Sequence, residues 1–568
     1  MRFLSSALVA TTMLLGATEV SMAGVVAEPD GSGGCEVSGS GTEFRRFDGK
    51  CNNLDNPDWG SADSALLRPY AVANYVDGIS QVDDVDRPNP RAISNAVVAQ
   101  PELRPNPLGA TDMLMQWGQF LDHDLDLTHM DSDDPLPINI PAGDSHFSGE
   151  MPFDRSVYDH ASGMTTPRQQ VNAITAFVDA SQIYGSDQAT SDALRTFSDG
   201  KLKMSVTAAG ALLDMKTVDG KLEFQSGDER VNEQIGLTSM HTLFNREHNR
   251  LAGLLATEHP DYDDETLFQH TRKLVGALMQ AITYNEFLPQ LLGSAAPEPY
   301  SGYDAEVNPG IANAFSTAAY RFGHSTLSPQ LLRLDENGLE VAAGHVALKN
   351  AFFNPYLLLN PLGGGVEAVL RGLVTQQGQE IDPHLVDDVR NMLFGPPVDV
   401  GFDLAALNIQ RGRDHGLPSF NAMREALGLG AYEDWTDAVF MPGAKEALMS
   451  IYDDVDDIDL WVGGLAENHV DGGMLGAVFA AIVSDQFTRL RDGDRFWYQN
   501  GQFEDEWLAY IEASTLSDII MRNTDISGLQ ANVFKVPLPS AVLLLMVGLM
   551  SWRVAIARTT RLTALRAA

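Results

Sequence analysis

The chain has 568 residues, of which 44% are hydrophobic and 20% are charged, a balance that is ordinary for a soluble protein with a large core. Its formal net charge at pH 7 is −39, from 38 basic and 77 acidic side chains. Nucleic acids and anionic membranes are poor partners for such a surface. We interpret the excess of acids as the solubilising surface of a secreted protein.

The first 23 residues have the layout of a secretory signal peptide. Arg2 supplies a positive charge, Ala7–Ala17 form an apolar stretch, and Ser21–Ala23 offer a cleavage site of mostly small residues. The sequence therefore predicts export of the mature protein.

The next part of the chain predicts a short linker followed by one long folded body. Residues 24–43 are rich in Gly and Ser, which is typical of a flexible linker. Cys35 and Cys51 are the only cysteines, so an exported chain has one possible intrachain disulfide. Residues 44–534 show no internal repeat and no second break in composition.

Apolar periodicity predicts that this body is mainly α, a single large helical domain with long loops and few short strands. The predicted helices are Ala110–Leu127, Gly236–His259, Asp264–Leu292, Ile311–Phe322, Pro383–Leu393, Leu404–Arg411 and Met474–Asp492. Two acidic pieces, Asp131–Pro141 and Asp453–Asp459, predict loops whose carboxylates are solvated.

The first predicted helix contains the most informative segment, Trp117–Thr128, with the sequence WGQFLDHDLDLT. Gln119, Asp122 and His123 stand at i, i+3 and i+4, so they share one helix face. Asp124 lies about 100° further around the axis. One element can thus offer an imidazole and a carboxylate to one pocket, and a second carboxylate to a cation beside it.

The segment Thr175–Ser181 alternates oxygen-bearing and apolar side chains. An extended loop would aim Thr175, Asp179 and Ser181 to one side, together with the carbonyl of Phe177. Oxygen ligands of this kind suit Ca²⁺, although the pattern by itself is also typical of an ordinary turn.

Three later segments carry further candidates. Arg230 and Glu233 lie in DERVNEQI, just before a long helix, where such a pair is by itself more often a surface ion pair. His324 follows Arg321 by three residues in AAYRFGHS. Asn408 precedes Arg411 by three in LAALNIQRGRDHGLP.

The C-terminus has a signature of its own. The sequence VPLPS precedes the apolar run Ala541–Trp552, and four arginines follow it: Arg553, Arg558, Arg561 and Arg566. The run is short of the roughly 20 residues of a stable spanning helix, but its flanking arginines suit a stop signal. The pattern resembles the PEP-CTERM sorting signals of Gram-negative bacteria, which implies a bacterial origin and an exosortase-like processing protease. A simple C-terminal membrane anchor is the alternative.

Taken together, the segments resemble the animal-type haem peroxidases, the family of myeloperoxidase, lactoperoxidase and peroxidasin. The resemblance runs from about residue 44 to 534 and is closest at Trp117–Thr128, at Leu237–Ala252 and around Asn408. It implies that fold, a b-type haem, and a Ca²⁺ ion whose ligand set includes Asp124. Two alternatives share the fold: a fatty-acid dioxygenase, and a non-catalytic adhesion or matrix protein.

The resemblance also implies roles on both sides of the haem. On the distal side, where peroxide binds, His123 exchanges the proton, Arg230 stabilises charge, and Gln119 holds a water or halide. On the proximal side, His324 binds the iron and donates a hydrogen bond to Asn408. Arg321 and Arg411 become candidates for binding the propionates.

Covalent attachment of the haem is a further implication. In relatives such as lactoperoxidase the carboxylates that match Asp122 and Glu233 form esters with haem methyl groups. Gln234 stands where myeloperoxidase has a methionine that makes a third link, so this chain resembles the two-ester type. Two unlinked carboxylates and a non-covalent haem are the alternative.

The implied activity is oxidation of halides, thiocyanate or phenols by H₂O₂ through an oxoferryl intermediate. The dioxygenase alternative needs a tyrosine three residues before the proximal histidine. This chain has Arg321 there, with Tyr320 one residue out of register.

Overall fold

The computed structural model describes residues 28–29, 35–36, 43–83, 87–394 and 401–537. The predicted signal peptide, most of the predicted linker and the apolar C-terminal run lie outside these residues. Within them, no helix combines the length and apolarity that a membrane crossing requires.

Helices dominate the described chain, as predicted. The α-helices are Pro90–Ile93, Asp112–Leu125, Ser181–Tyr184, Gln188–Leu194, Ile235–Glu258, Asp264–Ile282, Leu288–Leu292, Tyr356–Leu359, Gly365–Thr375, Asp387–Arg390, Leu404–Asp414, Phe420–Ala426, Ala444–Met449, Leu460–Ala466, Ala477–Asp492, Asp505–Ala513 and Leu516–Asn523. Turns of π-helix are Ser94–Val98, Thr283–Phe287 and Phe315–Ala319. Turns of 3₁₀-helix are Glu229–Asn232, Gly293–Ala295, Tyr320–Thr326, Leu348–Asn350, Pro361–Gly363 and Val455–Asp457.

The strands are short and pair only in twos among the described residues, which confirms a mainly α fold with few strands. The antiparallel pairs are Glu28–Pro29 with Cys35–Glu36, Ser64–Ala65 with Val171–Asn172, Met130–Pro135 with Asp154–Ser156, Ile138–Asn139 with Glu150–Met151, Met204–Thr207 with Gly210–Leu213, Met215–Val218 with Lys221–Phe224, and Gln330–Leu331 with Val346–Ala347.

The core centres on the helix Asp112–Leu125, which packs against both Ile235–Glu258 and Gly365–Thr375. Trp117 and Phe120 are fully buried on its apolar face. Their rings lie 5.7 and 5.2 Å from the ring of Phe244 on the long helix. Such close aromatic packing fixes the rotation of the helix and therefore which face turns away from the core.

The predicted helix Asp264–Leu292 is present with a local irregularity. It runs as α-helix to Ile282, widens into the π turn Thr283–Phe287 and resumes as Leu288–Leu292. The apolar pattern continues through the wide turn, so the sequence does not reveal it.

The prediction of a regular helix over Ile311–Phe322 is wrong. The structure has the π turn Phe315–Ala319 followed directly by the 3₁₀ turn Tyr320–Thr326. Residues 311–320 are all buried, so apolar periodicity cannot distinguish one helical hydrogen-bond pattern from another.

The structure also corrects other predicted element boundaries. Of the predicted helix Pro383–Leu393 only Asp387–Arg390 is helical, because Asn391 bonds back to Asp387 and Leu393 pairs with Phe402 as a β-bridge. The predicted list lacks several helices that the structure contains: Gly365–Thr375, Phe420–Ala426, Ala444–Met449, Leu460–Ala466, Asp505–Ala513 and Leu516–Asn523.

The two acidic pieces are more ordered than predicted. Asp131–Pro141 includes parts of two strands instead of being loop throughout. In the second piece Asp459 is buried and accepts hydrogen bonds from Arg413 at 2.9 and 2.8 Å. Its predicted solvation is wrong, because a buried arginine at the end of Leu404–Asp414 requires a counter-charge.

The N-terminal part of the described chain is fastened to the body. Cys35 and Cys51 form the one disulfide that the sequence allows. Arg45 donates to both carboxylate oxygens of Asp494 at 2.8 Å, and Arg495 pairs with Glu43. Residues distant in sequence are thereby held together at the start of the body.

Two glycine-to-alanine changes test the close packing of the core. A Cβ at Gly372 would lie 2.0 Å from the carbonyl oxygen of Leu332, so Gly372→Ala should destabilise the fold by about 1–3 kcal/mol. A Cβ at Gly253, inside Ile235–Glu258, would meet nothing within 4 Å, so Gly253→Ala should stabilise it by about 1 kcal/mol. Thermal unfolding should show Tm shifts of opposite sign, and a Gly372→Ala protein as stable as the parent would contradict this packing.

Candidate active site

One cavity of about 420 Å³ brings together side chains from distant parts of the sequence. His123, Arg230 and Glu233 line its wall, and so do His324 and Arg321. Of the remaining predicted site residues, Gln119, Asp122 and Arg411 also line the cavity. The two histidines predicted to flank a cofactor therefore share one space.

The helix Asp112–Leu125 presents His123 to this cavity. Its apolar face is packed in the core, so Gln119, Asp122 and His123 turn toward the open side. His123 is only 3% exposed, and burial together with nearby Arg230 holds its pKa well below the usual value. The imidazole is therefore neutral at pH 7 and carries a lone pair that can accept a proton.

Arg230 is held beside His123 by Asp228, which sequence reasoning did not select. Asp228 caps the 3₁₀ turn Glu229–Asn232 and accepts from the backbone N, Nε and Nη2 of Arg230 at 2.8, 2.9 and 2.8 Å. Burial opposes ionisation of Asp228, but Arg230 outweighs it and holds the pKa of Asp228 below its ordinary range. The feature of the sequence that could have indicated this role is an aspartate two residues before the arginine, at the position that caps the turn.

Arg230 has two further contacts on the same side of the cavity. Its Nη2 donates to the carbonyl oxygen of Asp126 at 2.9 Å, and its Nη1 lies 3.7 Å from Oδ2 of Asp122. Burial favours loss of its proton, but Asp228 and then Asp122 hold the pKa of Arg230 above its ordinary value. The guanidinium is therefore a fixed positive charge.

Asp122 and Glu233 keep their carboxyl groups open to the cavity, with side chains 29% and 28% exposed. Burial, and then the carboxylate of Asp126, raise the pKa of Asp122 well above the ordinary value. Burial also raises the pKa of Glu233, whose Oε2 lies 3.9 Å from Nε2 of His123. Both groups can therefore reach a molecule in the cavity.

Gln119 belongs to a cluster of three amides that the sequence did not reveal. Its Oε1 accepts from Gln116 at 3.1 Å and from Gln234 at 3.0 Å. Gln234 also donates to Oε1 of Gln116 and caps the helix Ile235–Glu258 through Gly236. The cluster fixes the orientation of Gln119 and joins the two helices that carry this side of the cavity.

On the other side, His324 lies in the 3₁₀ turn Tyr320–Thr326 and contacts Asn408. Nδ2 of Asn408 is 2.8 Å from Nδ1 of His324, and Oδ1 of Asn408 accepts from Arg321 at 3.3 Å. The predicted contact is present, but with the opposite polarity, because the cationic guanidinium attracts the amide oxygen. Burial and then Arg321 lower the pKa of His324 to about 3, so its ring is neutral.

Arg411 lines the cavity but is also tied to the protein. It donates to Oγ of Ser156 at 2.8 Å and to Asp414 at 3.0 Å, and burial lowers its pKa to about 10. The neighbouring His415 lies with Nδ1 against Asn313 and Nε2 against Ser156, at 2.8 and 2.7 Å. Both nitrogens of that histidine therefore have protein partners.

The residues predicted to bind calcium contact one another beside the helix Asp112–Leu125, and they are not among the residues that line the cavity. Asp124 accepts from the backbone N of Asp179, Ala180 and Ser181 and from Oγ of Ser181 at 2.8 Å. Thr175 donates to the carboxylate of Asp179 at 3.2 Å. Burial, and then Asp179, raise the pKa of Asp124 well above normal. Two neighbouring buried carboxyls are a costly arrangement that a cation would relieve.

Phe177 connects the same loop to the N-terminal segment. Its side chain is fully buried and lies 4.5 Å below the guanidinium of Arg45, whose Nε is 3.6 Å from Asp179. The loop that meets Asp124 is therefore fixed on a second side by a cation–π contact and an ion pair.

Comparison with known proteins identifies relatives of the whole body. The family model described as animal haem peroxidase matches residues 44–534. The peroxidasin homolog of Mus musculus is 38% identical over 556 residues, which covers 87% of this chain but 37% of that protein.

Two solved structures share the fold. Peroxidase A from Dictyostelium discoideum has a TM-score of 0.80 and 35% identity, and the match covers 87% of this chain and 100% of that one. Fatty acid alpha-dioxygenase from Arabidopsis thaliana has a TM-score of 0.74 at 22% identity, with coverage of 87% and 84%. The second likeness extends to the fold alone.

Proposed function

The chain belongs to the animal haem peroxidase family, and from that premise we propose that it is an exported haem peroxidase that oxidises small donors with H₂O₂. The observation that carries the proposal is the shared cavity, which neutral His123, the fixed cation Arg230 and neutral His324 line together.

The residues around the cavity fit a b-type haem. His324 is neutral, and with Nδ1 facing Asn408 its Nε2 is the nitrogen available to bind iron. Arg321 and Arg411 would hold the propionates. When bound, the haem supplies the redox chemistry with peroxide. If Nε2 of His324 bound iron, the ring proton would lie on Nδ1, and the side-chain oxygen of Asn408 would have to turn from Arg321 to His324 to accept it, as the family resemblance implies.

The protein residues then handle protons and charge. His123 takes a proton from peroxide at Nε2 and returns it to the departing oxygen. Arg230 stabilises the negative charge that develops as the O–O bond breaks, and Asp228 prevents it from moving away. Gln119, fixed by Gln116 and Gln234, holds a water or halide near His123.

Small donors suit this cavity despite the acidity of the whole chain. Arg230, Arg321 and Arg411 line the interior beside three carboxyl groups, those of Asp122, Asp126 and Glu233, and burial raises the pKa of all three. The arginines are therefore the charges that an entering anion would meet. We therefore propose halides, thiocyanate and phenols as donors. The dioxygenase alternative needs a tyrosine three residues before His324, and this chain has Arg321 at that position.

Export and sorting belong to the same proposal. The signal-like residues 1–23 and the C-terminal segment 535–568 support a secreted or cell-surface enzyme with a C-terminal membrane segment at least transiently. An exosortase-like protease is the proposed processing partner.

A first experiment tests the activity and the role of His123. Haem-loaded wild-type protein should shift its Soret band with H₂O₂ and turn over guaiacol, bromide or thiocyanate. His123→Ala should slow the peroxide reaction by roughly 10²–10⁴-fold, since it removes the acid–base group. Stopped-flow absorbance measures both. An inert wild type would favour the scaffold alternative, oxygenated linoleate would favour the dioxygenase, and an unchanged rate in the variant would reassign the distal group.

A second experiment tests covalent attachment, which we propose because Asp122 and Glu233 open onto the cavity. After treatment with H₂O₂, wild-type protein should retain its haem through acid–acetone extraction. The double variant Asp122→Asn, Glu233→Gln should release it, because an amide cannot form the ester. Complete release from the peroxide-treated wild type would rule out the linkage.

A third experiment tests the proposed Ca²⁺ site. Calcium at 100 times Kd should stabilise the protein by about 2.7 kcal/mol, and Asp124→Asn should abolish that gain. The raised pKa of Asp124 means that binding releases protons and weakens as pH falls. Calorimetry in buffers of different ionisation enthalpy measures the release. Asp187→Asn, at the exposed N-cap of the helix Gln188–Leu194, is the control variant. Equal stabilisation of both variants by calcium would show that Asp124 does not bind the ion.

A further inference from the structure

Two buried histidine nitrogens near the distal side have no hydrogen-bond partner among the described residues. They are Nδ1 of His123 and Nε2 of His241. His241 is fully buried in the helix Ile235–Glu258, and its ring meets that of Phe120 edge-on at 5.0 Å. Phe120 precedes His123 by one helical turn, so His241 packs against the same part of the Asp112–Leu125 helix.

The hydrogen bonds around His241 determine which of its nitrogens carries the proton. The hydroxyl of Ser226 donates to the carbonyl oxygen of Gln182 at 2.9 Å. The Ser226 oxygen is 2.8 Å from Nδ1 of His241 and therefore accepts from it. Burial lowers the pKa of His241 to about 3, so the ring is neutral and Nε2 is left with a lone pair.

His123 has the complementary requirement. To take a proton from peroxide, its Nε2 must hold a lone pair, so its Nδ1 must carry the ring proton. The unpartnered nitrogen of His123 is thus a donor, and that of His241 is an acceptor.

Asp228 supplies a third polar atom near both histidines: burial lowers the pKa of each ring, and the charge of Asp228 opposes that shift in both. Its Oδ1 lies 3.6 Å from Nδ1 of His123, which is too long for a direct hydrogen bond. The other contacts of that carboxylate go to Arg230. One donor and two acceptors match the needs of a single buried water, which can accept one hydrogen bond and donate two.

We propose that one buried water joins Nδ1 of His123, Nε2 of His241 and Oδ1 of Asp228, and that His241 and Asp228 are positioning residues for the distal base. The inference rests on the proposed peroxidase function. Through the water, the fixed tautomer of His241 sets the tautomer of His123. Asp228 thereby orients both distal groups, Arg230 directly and His123 indirectly.

Variants at His241 test the inference in the haem-loaded protein. His241→Leu removes the acceptor and should slow the peroxide reaction by roughly 10–100-fold, the usual cost of losing a group that orients a functional histidine. His241→Gln restores an acceptor oxygen near Nε2 and should recover most of the rate. His248→Gln is the control, because His248 lies on the same helix with both nitrogens bonded, to Tyr184 and Gly200.

Cyanide binding to the ferric protein gives a readout independent of turnover. Binding of HCN also needs a distal base, so its association rate should fall in His241→Leu, recover in His241→Gln and stay unchanged in His248→Gln. If His241→Leu binds cyanide and reacts with peroxide at the control rates, the inference is wrong. A wild-type protein that does not react with peroxide would instead contradict the proposed function.

A high-resolution crystal structure tests the water directly, whatever the activity. The expected result is one ordered water within hydrogen-bond distance of the three named atoms, absent in His241→Leu. A dry contact, or a direct hydrogen bond from His123 to Asp228, would overturn the inference.

Discussion

The site depends on two adjacent residues of one helix that point in different directions. His123 faces the cavity, while Asp124 is buried in the loop around Ser181 and accepts four hydrogen bonds from it. Because the residues are neighbours, the loop cannot shift without turning the imidazole. Trp117 and Phe120 stand seven and four residues before Asp124 and therefore on the same face, where their packing against Phe244 restrains the helix as well. The position of the base is therefore set by packing and hydrogen bonding on the part of the helix that faces away from the cavity.

A second constraint is the distribution of charge around the cavity. Arg230, Arg321 and Arg411 are cations in a buried space, and acids or amides hold each of them: Asp228, Asn408 and Asp414. Burial, and then the positive charge of Arg230 and Arg321, lower the pKa of His123 and of His324 respectively. Both rings are therefore neutral, which iron binding and proton exchange require.

Much of this arrangement was predictable from sequence because the key residues lie in short contiguous segments. Helical spacing predicts that Gln119, Asp122 and His123 share one face, and all three line the cavity. The residues that support them were not predictable in the same way. Asp228, Gln116 and Gln234 act through tertiary contacts, and an aspartate or glutamine outside a motif gives no sign of its partner. Likewise the turns around His324 are π and 3₁₀, since uniform burial there removes the periodic signal.

The likeness to fatty acid alpha-dioxygenase extends to the fold alone. A TM-score of 0.74 at 22% identity means that the helices overlay while most side chains differ. Under the proposed function, the position that separates the two alternatives is three residues before His324, where this chain has Arg321. Tyr320 lines the cavity, but its ring is stacked on Phe315 at 4.6 Å and its hydroxyl is buried. Arg321 and Arg411 also line this cavity, and they are side-chain features that the fold alone does not specify.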